Sequence, residues 1–164
     1  MTATTPAPTT DTATGAPAEA RLPLGRLFPA AYRAMSAFAG AVGDSPLDEL
    51  LVHLVKLRAS QINGCAYCLA LHAKEARAAG ESQQRLDVLS AWDEVPVFNE
   101  RERAALALTE SITRVADTHV PDAAVDAARA HFSDEDLAAL VFHIVTINAW
   151  NRIAITARMP LPAP

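Results

Sequence analysis

The sequence has no basic cluster, no long apolar run and only two cysteines. Its 164 residues carry a formal net charge of −5, and the 14 lysines and arginines are spread along the chain. A nucleic-acid binder needs concentrated positive charge to neutralise phosphates, so this class of function is excluded. No apolar run approaches the ~20 residues of a membrane span, and the N-terminal residues do not resemble a secretory signal. We therefore predict a cytoplasmic protein that binds neither nucleic acid nor membrane.

The two cysteines, Cys65 and Cys68, lie three residues apart. A disulfide framework of the kind found in small secreted proteins needs more cysteines at wider spacing. In a reducing compartment, a CxxC motif indicates either redox chemistry or metal binding. Composition alone leaves both alternatives open.

Two regions differ in composition. Thr, Ala and Pro dominate residues 1–21, which cannot bury enough apolar surface to offset the entropy of ordering, so we predict a disordered tail there. Residues 22–160 show helical periodicity and lack alternating, strand-like segments bounded by turns. The sequence therefore predicts one all-α domain after the tail.

Caps and breaks predict the helix boundaries. We expect helices over 29–42, 46–62, 65–79, 82–91, from 99 onward, 121–131 and 137–150. Ser45 with Pro46 resembles a helix start, Asn99 with Glu102 resembles a capping box, and Ser133 resembles a cap. The strongest predicted break is Asn63-Gly64, immediately before the first cysteine.

This break places the CxxC motif in the first turn of a helix. The unpaired N–H groups there stabilise a thiolate, so we expect a lowered thiol pKa. The three-residue offset puts both sulfurs on one helix face, where they can form a disulfide. His72 follows Cys68 by four residues and is placed to exchange a proton with the thiol. His53 lies on the preceding helix and faces the sulfurs if the two helices pack antiparallel.

The run LVKLRASQINGCAYCLALHAKEAR over residues 54–77 resembles the alkylhydroperoxidase D-like branch of the carboxymuconolactone decarboxylase family. The similarity continues through Glu102-Arg103 and Ile147-Asn148-Ala149-Trp150-Asn151-Arg152. It implies an all-helical fold that assembles as a homotrimer or homohexamer, without a cofactor. It also implies a peroxidase in which Cys68 attacks a hydroperoxide and Cys65 then closes a disulfide, which a dithiol or thioredoxin-like reductant reopens.

The resemblance further implies that His72 belongs to a proton relay with a glutamate, and here the sequence departs from the family. The position of that glutamate is occupied by His53, and Glu49 lies one helical turn earlier. Other functions therefore stay open: a redox sensor or disulfide reductase, a scaffold without catalysis, or a zinc site. The zinc site would use His53, Cys65, Cys68 and His72 as a Cys2His2 set.

Overall fold

The computed structural model describes residues 19–163, and this part of the chain contains helices and no strands. Its elements, in chain order, are α1 (Leu24–Leu27), α2 (Pro29–Gly43), α3 (Glu49–Asn63), α4 (Ala66–Ala78), α5 (Gln83–Val88), a 3₁₀ helix (Leu89–Glu94), α6 (Glu100–Thr113), α7 (Val115–Thr118), α8 (Asp122–Arg129) and α9 (Asp134–Ala157). The predicted all-α class is confirmed. The predicted disordered tail lies outside the described residues except for 19–21, and Arg21 within it donates to Thr156 O on α9 at 2.6 Å.

Helices α3 and α4 form the hairpin that carries the predicted site. Helix α3 ends at Gly64, whose φ of 69° is the left-handed conformation that glycine adopts without steric cost. Cys65 then caps α4, so the predicted break and helix start are confirmed to within one residue. The predicted start of α3 at Ser45 is wrong. Asp48 is the cap and accepts from Leu51 N at 3.0 Å.

Helix α9 lies at the centre of the fold and packs against α2, α3, α4, α6 and α8. It extends beyond the predicted apolar segment at both ends. Polar residues on it also face the interior, since His143, Asn148 and Asn151 are all buried. Among the described residues, α9 is the one helix long and apolar enough to cross a membrane by length and composition. Its contacts inside the fold are those of a core helix.

Three groups of buried side chains hold these helices together. One joins α3, α6, α8 and α9 around Leu140 and Ile144, and a second joins α3, α4, the 3₁₀ helix and α6 around Leu54 and Leu106. The third is small and contains Ala59, Cys65, Cys68, Ile147 and Ala154. The cysteines are therefore part of the core between α3, the start of α4, and α9.

The other boundary predictions differ in outcome. Ser133 is confirmed as a cap, since its Oγ accepts from Asp136 N at 3.1 Å at the start of α9. The capping box at Asn99 is present, with Glu102 N bonded to Asn99 Oδ1 and Asn99 N bonded to Glu102 Oε2. The predicted single helix over 82–91 is wrong, because α5 ends at Val88 and continues as a 3₁₀ helix with non-helical backbone angles at Ala91.

Candidate active site

The two cysteines form a close, buried pair at the start of α4. Their Sγ atoms are 2.8 Å apart, and both residues are free thiols with at most 3% of their surface exposed. Cys65 Sγ also accepts from Cys68 N at 3.4 Å, as expected for a helix cap. A disulfide needs the sulfurs at about 2.05 Å, so a movement of less than about 1 Å closes the bond. The predicted placement of both sulfurs on one face is confirmed.

The expected lowering of the thiol pKa is wrong for Cys68. Burial raises the pKa of the Cys68 thiol to about 12, and the hydrogen bond and charge of Cys65 act in the same direction. The side chain of Asn151 and the backbone N–H of Cys68 favour the thiolate, but desolvation outweighs them. The helix start does supply a favourable dipole; the sequence did not show how little water reaches the sulfur. The resting protein therefore holds Cys68 as a thiol.

A network of side-chain amides reaches Cys68 through Asn151. The Asn63 side chain donates to Oδ1 of both Asn148 and Asn151, at 2.9 and 2.8 Å. Asn151, which is fully buried, donates in turn to Ser60 Oγ at 3.0 Å. Because each amide is fixed by its neighbours, Asn151 presents a fixed dipole to the sulfur of Cys68. In the sequence, Asn151 stands out only as part of the family similarity, which implies no role for it at the site.

His72 is held by a carboxylate that sequence analysis did not single out. Its Nδ1 lies 2.7 Å from Oε2 of Glu75, which is three residues further along α4. With the N–H on Nδ1 donated to Glu75, Nε2 is the proton-accepting nitrogen of the ring. This hydrogen bond lowers the pKa of Glu75 and keeps it ionised. The i, i+3 spacing was visible in the sequence and could have identified Glu75.

His53 lies next to His72 and Glu75. The two imidazole centroids are 6.4 Å apart, and His53 Nδ1 is 3.9 Å from Glu75 Oε2. Burial lowers the pKa of His53, helped by the nearby charge of Lys56. Glu49 approaches the other nitrogen of His53 to 3.7 Å, but its side chain is 78% exposed. The residue at the family's glutamate position thus contacts the cluster as a neutral imidazole.

The predicted Cys2His2 zinc set does not come together. Among the described residues, the one group of three or more candidate ligand atoms within 4.8 Å of one another comes from His53, His72 and Glu75. The cysteine sulfurs are not members of this group. They are instead held in the apolar core at the start of α4.

A cavity of about 250 Å³ adjoins the cysteine pair. Cys68 and His72 both line it, together with Lys56, His143 and a wall of apolar and aromatic residues, Tyr32, Ala39, Val42, Tyr67, Leu71, Ile147, Trp150, Ala154 and Met159. Cys65 does not line it. Tyr32 and Trp150 meet edge to face with ring centroids 5.3 Å apart, which joins α2 to α9 across this wall. The geometry therefore exposes one sulfur, that of Cys68, to a small apolar molecule.

The three remaining histidines, His119, His131 and His143, lie outside the cluster of His53, His72 and Glu75. His143 is buried and bonded to Ser45 Oγ at 2.8 Å, as expected for a satisfied core histidine. His119 and His131 are exposed. Burial lowers the pKa of His143 to about 4, so it lines the cavity as a neutral ring.

Comparison with known sequences identifies the family. A profile of the Carboxymuconolactone decarboxylase family matches residues 29–111, which is just over half of the chain. The chain belongs to this family. A relative in Bacillus subtilis, the uncharacterized protein YdfG, is 41% identical over 111 residues, covering 68% of this chain and 76% of its own.

Solved structures place the chain in the alkylhydroperoxidase D-like branch of this family. The protein ATU0492 of Agrobacterium tumefaciens, of unknown function but suggested to be the antioxidant defence protein AhpD, matches with a TM-score of 0.85 and 42% identity, over 89% of this chain and 100% of its own. An uncharacterized peroxidase-related protein of Silicibacter sp. TM1040 matches with a TM-score of 0.72 and 26% identity, over 80% and 70% of the two chains. The predicted branch is confirmed, and with it the coarse class of a peroxidase-related protein.

Proposed function

We propose that this member of the family is a thiol peroxidase that reduces organic hydroperoxides with Cys68 and Cys65. The observation that carries the proposal is the asymmetry of the pair. Cys68 lines an apolar cavity, whereas Cys65 lies behind it at 2.8 Å. An attacking sulfur needs access to substrate, and a resolving sulfur needs access only to its partner. The cavity walls favour a hydroperoxide with an apolar substituent over hydrogen peroxide.

The first step is attack of the Cys68 thiolate on the terminal oxygen of the hydroperoxide. The O–O bond breaks, Cys68 becomes a sulfenic acid, and the alkoxide leaves as an alcohol after taking a proton. Cys65 then attacks the sulfur of the sulfenic acid, which releases water and forms the disulfide. A dithiol or thioredoxin-like reductant supplies two electrons and two protons to restore both thiols.

His72 is the proton carrier in this scheme. Because Cys68 rests as a thiol, the attack requires a base, and His72 lines the same cavity. Glu75 orients the imidazole and stabilises its cation, the task that the resemblance gives to a glutamate at position 53. In this chain, that carboxylate comes from α4 instead of α3.

The experiment is peroxide titration of three proteins: the reduced wild type, Cys65→Ser and Cys68→Ser. With one equivalent of cumene hydroperoxide, intact-mass analysis of the wild type should show loss of two hydrogens, mapped to a Cys65–Cys68 disulfide. Cys65→Ser should stop at a sulfenic acid that dimedone traps, and Cys68→Ser should not react. Trapping in Cys68→Ser instead would reverse the assigned roles. A wild-type rate no faster than that of free cysteine would favour the redox-sensor alternative.

We further propose that the chain acts in the cytoplasm as a homotrimer or homohexamer. A reducing compartment keeps the pair as thiols. Support for self-association comes from an apolar surface on α2 and α9, where Phe38 meets Phe142 edge to face and Val145 and Ile155 are exposed. Native mass spectrometry should find three or six chains, and Phe142→Glu should shift the distribution towards monomer. A monomeric wild type at micromolar concentration would contradict the proposal.

A further inference from the structure

The buried nitrogen of His53 has no partner. Its side chain is 8% exposed, and Nδ1 is sealed from solvent without a hydrogen bond. The nearest carboxylate oxygen, Oε2 of Glu75, is 3.9 Å away, too far for a hydrogen bond. Leaving such a buried group unsatisfied costs free energy, because it has lost its hydrogen bond to water without gaining another. A ligand that bridges His53 to Glu75 would recover this free energy.

The neighbouring donors suit a metal ion as this ligand. One candidate ligand atom from each of His53, His72 and Glu75 lies within 4.8 Å of the other two. In a tetrahedral zinc site, bonds of about 2.0–2.2 Å place neighbouring ligand atoms about 3.3–3.5 Å apart. The separations here are 2.7 Å for His72 Nδ1–Glu75 Oε2 and 3.9 Å for His53 Nδ1–Glu75 Oε2. These two separations bracket the required value, and the third pair, His53 and His72, lies within 4.8 Å. Closing the site around an ion therefore needs changes of about 0.5–1.5 Å in these separations.

We propose that His53, His72 and Glu75 bind a divalent transition-metal ion of the zinc class, with the remaining coordination position open to water. Two imidazoles and one carboxylate are ligands of intermediate softness, which select zinc, cobalt or ferrous iron over calcium and magnesium. The charges nearby are mixed. Lys56 opposes a bound cation, whereas Glu49 approaches His53 from the solvent side.

Metal binding would occupy the groups that the proposed peroxidase uses to move protons. A bound ion displaces the proton from the ligating nitrogen of His72 and holds the Glu75 carboxylate. We therefore expect zinc to slow oxidation of Cys68 by hydroperoxide and a chelator to restore it. The metal site itself does not depend on the peroxidase proposal, because it is formed by residues other than the cysteines.

The test uses the full chain with both cysteines replaced by serine, so that thiolates cannot bind the metal. Titration with Co²⁺ should give one equivalent of saturable binding, with visible d–d bands and no near-ultraviolet sulfur-to-cobalt band. In this background, His53→Gln should weaken Co²⁺ binding at least tenfold. The matched control is His131→Gln, the same change at an exposed histidine, which should leave binding unchanged.

Two outcomes would overturn the site. One is the absence of saturable Co²⁺ binding when both cysteines are replaced; the other is equal binding by His53→Gln and His131→Gln. If His53→Gln fails to fold, as judged by circular dichroism, Lys56→Met gives an independent result. Removal of its charge should tighten Co²⁺ binding several-fold, and unchanged affinity would contradict the proposal. Because the readout is metal binding, failure of the peroxidase assay would not affect it.

Discussion

The surroundings of Cys68 and His72 have two sides with opposite effects on ionisation. On the apolar side, burial raises the pKa of Cys68 and lowers that of His143, so both groups are neutral. On the side of α4 nearer to solvent, the hydrogen bond from His72 lowers the pKa of Glu75 and keeps it charged. In the proposed peroxidase, the nucleophile and the groups that activate it therefore lie in different environments. The fold provides both environments, the apolar one at Cys68 and the charged one at Glu75, within two turns of α4.

The largest expected effect tests the apolar side through the pH dependence of Cys68. With a pKa of about 12, its alkylation rate should rise about tenfold per pH unit, or about a thousandfold from pH 7 to pH 10. Free cysteine, with a pKa of about 8.5, should level off within this range. The measurement is iodoacetamide labelling of the reduced protein, with Cys68 quantified by peptide mass spectrometry. A plateau below pH 9 would show that the thiol is less desolvated than the structure implies.

The second prediction concerns the same apolar side and uses the stability of the protein at acidic pH, through His143. Its folded pKa of about 4 lies below the value of 6.5 in the unfolded chain, so the unfolded chain binds more protons between these values. The free energy of unfolding should therefore fall as pH decreases from 6.5 towards 4, with up to about 3 kcal/mol of this loss due to His143.

Urea denaturation at pH 7 and pH 5 measures this loss. His143→Gln should show a smaller decrease than wild type, whereas His131→Gln, at an exposed site, should show the wild-type decrease. Part of the decrease will remain in His143→Gln, because burial also lowers the pKa of His53. Identical pH profiles for the two variants would refute the assignment.

Glu75 tests the charged side. Replacing it with glutamine removes the charge that stabilises protonated His72, so kcat/KM for cumene hydroperoxide should fall about 10- to 100-fold. The matched control is Glu49→Gln, whose side chain is 78% exposed and 3.7 Å from His53; its kcat/KM should stay within about twofold of wild type. Comparable losses in both variants would indicate that the general negative potential matters, not the orientation of His72.

The smallest expected effect is a change in preference for substrate size when the apolar wall of the cavity is altered. Ala39 on α2 lines the cavity, and Ala37 on the same helix is exposed. Ala39→Leu should reduce kcat/KM for cumene hydroperoxide about tenfold and change that for hydrogen peroxide little, because the added carbons occupy space that only the larger substrate needs. Ala37→Leu should change neither value. An equal loss for both peroxides would mean that Ala39→Leu disturbs Cys68 itself.

Local signals made the helices and the cysteine pair predictable. Asn63-Gly64 fixed the end of α3, and the three-residue spacing determined that the sulfurs share one face. The pKa of Cys68 was not predictable in this way, because its desolvation comes from Ile147 and Ala154, about 80 residues later on α9. Ser45 failed as a predicted cap for a similar reason, since its hydroxyl bonds to His143 on α9. Contacts with α9, which is distant in sequence, determine both the pKa of Cys68 and the hydrogen bond of Ser45.

The contact between Arg21 and α9 also has a consequence for the topology of the chain. Leu22 N donates to Ala157 O at 3.3 Å, so the entry to the first helix lies beside the end of the last. Domains whose first and last helices meet in this way tolerate circular permutation at exposed loops. A linker that joins the segment after Ala157 to Leu22, with new ends opened at the exposed turn near His119, would leave the α3–α4 hairpin and its cysteines uncut.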